Sequence, residues 1–125
     1  MDKDKYKVVV VAERILINKI TNAQVSVKLH QPLQENDDWS CAFSIDGKIE
    51  KVVGIDSMQA LILALDVIRT QLNEYINELY WLDDLEFLGF PLFVPMYFPD
   101  KERKKIELLV DKESNNLLRI TEDDR

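Results

Sequence analysis

The sequence predicts an α+β fold: an antiparallel sheet of about four strands in a meander, a central helix packed on one face, and a C-terminal helix. Three observations carry this. Apolar and polar residues alternate in short runs before residue 54, the period of a half-buried strand. Short polar connections join those runs, which favours antiparallel neighbours. From Asp56 onward the apolar spacing changes to three and four residues, the period of a helix. With 125 residues the chain has room for one domain with a real core, so 1–125 is expected to be a single α+β domain.

Residues 6–17, YKVVVVAERILI, are rich in β-branched residues and free of Gly and Pro, so they predict a long strand bent near Glu13. Val8 and Val10 fall on one face, and Val9, Val11, Ile15 and Ile17 on the other. Asn18 to Asn22 supply turn chemistry. A second strand follows at 24–30, with Val25, Val27 and Leu29 inward and His30 outward. Residues 32–38 read as a polar loop. Trp39, Cys41, Phe43 and Ile45 share the inward face of a third strand. Asp46-Gly47 is a hairpin signal, because a type I′ turn needs positive φ at both central residues. Residues 48–53 return as the fourth strand.

The central helix is expected over Asp56–Leu79. Asp56 can cap it, and Gln59 can reach back to complete a capping box. Met58, Leu61, Ile62, Leu65, Ile68, Leu72, Ile76 and Leu79 form the main apolar stripe, with Ala60, Leu63, Ala64 and Val67 on the opposite side. Pro91, Pro95 and Pro99 then forbid a regular helix, leaving an extended segment or edge strand. A second helix is expected from Pro99, ended or interrupted near Asn115-Asn116.

The net charge of −7 argues against a nucleic-acid partner, which needs clustered Lys and Arg, and favours a basic protein partner. No apolar run reaches the roughly 20 residues that span a bilayer, and no signal-type segment is present. A lone Cys41 fits a reducing cytoplasm. Catalysis finds no support. The single histidine, His30, reads as a surface residue and Cys41 as core. No His/Cys cluster suits zinc, and no glycine-rich phosphate loop exists. Asp37-Asp38 and Asp83-Asp84 could bind a hard cation or do acid/base work, a third and lesser reading, but neither has the spacing of a calcium loop, and no metal or cofactor is assigned.

One region stands apart. Between Arg69 and Lys101 there is no basic residue, while Glu74, Glu78, Asp83, Asp84, Glu86 and Asp100 sit among most of the chain's aromatics. Carboxylates steer a basic partner and aromatics supply contact area, so Glu74, Glu78, Tyr80, Trp81, Asp83, Asp84 and Glu86 are the candidate partner-binding residues. The plainer expectation for the aromatics is packing against the sheet, because large exposed apolar patches are uncommon.

Trp39 to Gly47, W-S-C-A-F-S-I-D-G, then V-V-G-I-D-S-M-Q-A-L from Val52, and Gly89-Phe90-Pro91 resemble a group of small uncharacterised bacterial proteins. The resemblance implies an α+β fold and a bacterial cytoplasmic protein, and it brings no catalytic residues. Small acidic domains of this kind are often immunity proteins, an association of size and charge. The expectation is a non-enzymatic binding protein, an immunity protein that neutralises a basic toxin domain. The alternative is a structural or regulatory homo-oligomer, a homodimer in the simplest case.

Overall fold

The computed structural model describes residues 9–75, 77–82, 87–95 and 97–123, with side chains through Ile120. They fall into two compact units, the chain passing from the first to the second between Leu92 and Phe93. The first holds β1 (Val10–Asn18), β2 (Gln24–His30), β3 (Leu33–Glu35), β4 (Asp38–Ile45), β5 (Lys48–Gly54), α1 (Ser57–Asn73) and β6 (Leu79–Tyr80). The second holds α2 (Asp100–Asp123).

All strand pairings are antiparallel. β5 lies along one edge of β4 from Trp39 to Ile45. The other edge of β4 takes β2 at Phe43–Ile45 and β3 at Asp38–Ser40. β1 pairs with β2, and β6 with the end of β1. The expected meander is therefore present, extended by two short strands. β3 forms where a polar loop was expected, because Leu33 to Glu35 can run beside Trp39 without burying anything. Two residues are too few for any pattern to announce β6.

The Asp46-Gly47 turn has φ of 51° and 85°, as a type I′ hairpin requires. In the β1–β2 turn, Asn18 Oδ1 accepts hydrogen bonds from the Ile20 and Thr21 amides at 2.9 and 3.1 Å. The register slips at Val11, so Ala12, Arg14 and Leu16 face Leu29, Val27 and Val25. Leu16 is fully buried, whereas Ile15 sits on the other face and is exposed. Val10, opposite His30, stands on the face that carries Ile15 and Ile17 and not on the other one as expected, because the bulge resets the alternation. Tyr6 to Val8 lie outside the described residues.

The α1 cap forms as expected in part. Asp56 Oδ1 accepts from the Gln59 amide at 2.8 Å, while Gln59 Oε1 accepts from the Ile55 amide at 2.7 Å, one residue further out than a capping box places it. The helix stops at Asn73, short of Leu79, and its last turn tightens, with the Tyr75 amide donating to Leu72 O at 2.9 Å. Leu79 is buried, but in β6.

The helix rotation also differs. Ala60, Ala64, Ile68 and Leu72 form the buried line, and Met58 is exposed. Small residues face the sheet because the chain approaches closely: a Cβ on Gly54 would lie 2.6 Å from Ala60 N. The core joins this line to Leu16, Val27, Leu29, Cys41 and Phe43.

In the second unit α2 runs through Asn115-Asn116 without interruption. Arg103 Nη1 donates to Val94 O and Pro95 O at 3.1 and 3.0 Å, tying the preceding segment to the helix. Its Leu109, Val110, Leu117 and Leu118 are exposed. No helix is long and apolar enough to cross a membrane among the described residues.

Candidate functional site

Of the seven candidate partner-binding residues, the structure describes four. Glu74 caps the end of α1 and Glu78 ends the following turn; both are exposed. Tyr80 and Trp81 are half-buried. Asp83, Asp84 and Glu86 lie outside the described residues. Tyr80 stands opposite Ile17 on the β6–β1 ladder, and the Glu78 carbonyl accepts from the Lys19 amide at 2.7 Å. These bonds fix the turn carrying both acids to the end of β1.

The aromatics divide. Trp81 and Phe90 pack against the core, while Tyr75 and Phe87 are 51% and 67% exposed, together with Leu82 and Leu92. The expectation that the aromatics pack inward fails for Tyr75, Phe87 and, in the second unit, Tyr97, which are exposed. Glu74, Tyr75, Glu78, Leu82 and Phe87 thus present carboxylates and apolar area on the same stretch of chain.

A different residue organises what lies beneath. Arg14 occupies the core-facing row of β1, where alternation would put an apolar side chain. Its guanidinium carbon lies 4.0 Å from the Trp81 ring centroid and 5.0 Å from that of Phe90. Nη1 donates to Leu88 O at 3.1 Å. Such contacts stabilise by roughly 0.5–2 kcal/mol each for a partly desolvated cation. Gly89 is essential to the fit: its φ is +84°, and a Cβ there would lie 2.5 Å from Arg14 Nη1 and 2.6 Å from the Trp81 ring.

Residues 87–92 therefore form a strap, with a cleft on each side. One, about 270 Å³, is lined by Arg69, Leu72, Asn73 and the strap. The other, about 220 Å³, lies between Arg14, the β2 residues Val27 and Leu29, the α1 residues Leu65 and Ile68, and Phe90. Arg14 is inconspicuous in the sequence. The available signal was one cation inside the apolar run V-V-V-V-A-E-R-I-L-I.

His30 corrects the expectation of a surface histidine. It is 5% exposed, and neither ring nitrogen has a hydrogen-bond partner among the described residues. Burial, then the charge of Lys28, pushes its pKa below the ordinary histidine value. Cys41 is fully buried; its thiol donates to His30 O at 3.3 Å and burial pushes its pKa up, which keeps the unreactive protonated form. Among the described residues no three His, Cys, Asp or Glu side chains converge on a point that could hold a metal ion.

The class these features define is a small α+β domain: one antiparallel sheet, one helix on its face, and an arginine-held strap. Residues 12–92 match the family described as a domain of unknown function, DUF6968, and the chain belongs to that family. The match ends where the first compact unit ends, at Leu92, and it contains every motif of the resemblance noted above. No curated protein and no solved structure matches the chain.

Proposed function

We propose that this chain is a non-enzymatic, cytoplasmic binding protein, and specifically an immunity protein that neutralises a basic toxin domain by covering it. The observation that supports this is the stretch where Glu74 and Glu78 stand exposed beside Tyr75, Leu82 and Phe87, in a segment without one Lys or Arg. Exposed aromatics provide contact area, and unpaired carboxylates accelerate encounter with a basic partner.

The test is co-expression with the product of the adjacent upstream gene, followed by pull-down and association kinetics at low and high salt. A complex that relieves toxicity and associates more slowly as salt rises is expected. Replacing Glu74, Glu78, Asp83, Asp84 and Glu86 by Lys should cut the association rate at least about tenfold in a folded protein. Unchanged binding in that variant would remove these residues from the interface.

A second reading, a structural or regulatory homo-oligomer, draws on the exposure of Leu92 and, in the second unit, of Leu109, Val110, Leu117 and Leu118. Sedimentation at low micromolar concentration separates the two. A dimer that dissociates on substituting these residues favours the oligomer; a monomer favours the toxin-binding reading.

A further inference from the structure

We propose that the cleft beside Arg14 binds a small ligand with an apolar body and a carboxylate end, a site distinct from any protein-binding surface. The floor is apolar and already buried: Val27, Leu29 and Ile68 belong to the core. Leu65 and Phe90 form the walls. Among the described residues, Arg14 is the cation that lines this space. The neighbouring Glu13 also borders it, but its carboxylate is on the opposite face of the sheet, where it accepts from Ser26 Oγ at 2.9 Å and pairs with Lys28 at 3.8 Å.

Arg14 differs from three lysines of this unit. Lys28, Lys48 and Lys51 each lie within 4 Å of a carboxylate, on Glu13, Glu50 and Glu35. Arg14 has no carboxylate partner among the described residues, although it is half-buried in a chain of net charge −7. Only Nη1 has an acceptor there, the Leu88 carbonyl. A guanidinium offers five N–H donors in a planar fork that matches a carboxylate. Its aromatic contacts with Trp81 and Phe90 hold the plane in place, so little ordering remains to be done on binding.

The size of the cleft limits the ligand. About 220 Å³ is below the roughly 300–1,000 Å³ of sites for drug-sized molecules, which points to a short-chain or single-ring carboxylate. The net negative charge opposes any anion at long range. Screening over about 8 Å at physiological salt leaves the contact with Arg14 to decide.

The experiment titrates the full chain with benzoate and, in parallel, with benzyl alcohol as the uncharged analogue, following amide shifts by NMR. Benzoate is expected to bind with a Kd on the order of 1 mM, with shifts centred on Arg14, Leu65 and Phe90, and benzyl alcohol at least about tenfold more weakly. Arg14→Gln should abolish the preference for the anion. Leu65→Phe, which fills the cleft and leaves Arg14 untouched, should abolish binding of both, and it decides the matter if Arg14→Gln does not fold. No shift with benzoate at about 10 mM, equal binding of the alcohol, or unchanged binding in Leu65→Phe would each overturn the proposal and leave Arg14 as a fastener of the strap.

Discussion

Gly54 and Gly89 sit at two equally tight places, and they are tight for opposite reasons. At Gly54 the neighbour is backbone: a Cβ would meet Ala60 N at 2.6 Å and Ala60 Cα at 3.0 Å. At Gly89 the neighbours are the ends of side chains, Arg14 and Trp81, and the strain is in the glycine's own φ of +84°. The first contact is the seat of α1 on the β4–β5 hairpin, and no rotamer change can relieve it. The second fastens the strap, and its partners are side-chain ends that a Cβ would displace only by breaking the Arg14 contacts. The molecule thus has a rigid junction at the start of α1 and an adjustable one at the strap, beside which both clefts lie.

Substitutions at the two glycines should separate these behaviours. Gly54→Val is expected to cost about 3 kcal/mol, since the helix must lift off the hairpin. Urea denaturation would measure it, and a loss under about 1 kcal/mol would mean that the junction yields after all. Gly89→Ala should cost about 2 kcal/mol, from the left-handed backbone and the displaced Arg14. Its distinguishing sign is local. Trp81 emission should shift toward that of an exposed indole, while the amide chemical shifts of β4 and β5 keep the parent's pattern.

Asp56→Ala, at the rigid end but without steric conflict, should cost about 1 kcal/mol from the lost cap. A chemical-denaturation midpoint equal to the parent's would show that Gln59 on the Ile55 amide suffices alone.

The smallest effect at neutral pH comes from His30. Burial favours its uncharged form, so its folded pKa lies below the unfolded value of about 6.5. As pH falls the unfolded chain takes the proton first. Stability is then full above about pH 6.5 and declines below it until the folded-state pKa is passed. His30→Phe should flatten that part of the stability profile and leave pH 8 little changed. Parallel profiles for the two proteins would place the acid sensitivity elsewhere.

Legibility followed the range of the interactions. The Asp56 cap, the Asp46-Gly47 hairpin and the Asn18 turn were readable because each is settled within about five residues. The inward rows of β2 and β4 were readable from alternation. The rotation of α1 was not, because apolar periodicity ranks Met58 above Ala60, while close approach to Gly54 selects the smaller residue. The burial of His30 is hidden for a related reason: alternation gives its row, but its burial depends on neighbours distant in sequence. At the candidate site the acids announced themselves by composition. Arg14 did not, since what makes it distinctive is Trp81 and the Leu88 carbonyl, more than 60 residues away.

The bulge at Val11 has a consequence for solubility. β6 covers only Ile17 and Asn18 on the outer side of β1, so Val10 to Leu16 have no strand partner there among the described residues. A valine-rich edge of this kind is a template for pairing with another chain. The extra residue bends and twists the edge, and Glu13 and Arg14 break its apolar run. Deleting Val11 would straighten that edge, and the protein should then form cross-β aggregates at concentrations where the parent chain stays dispersed.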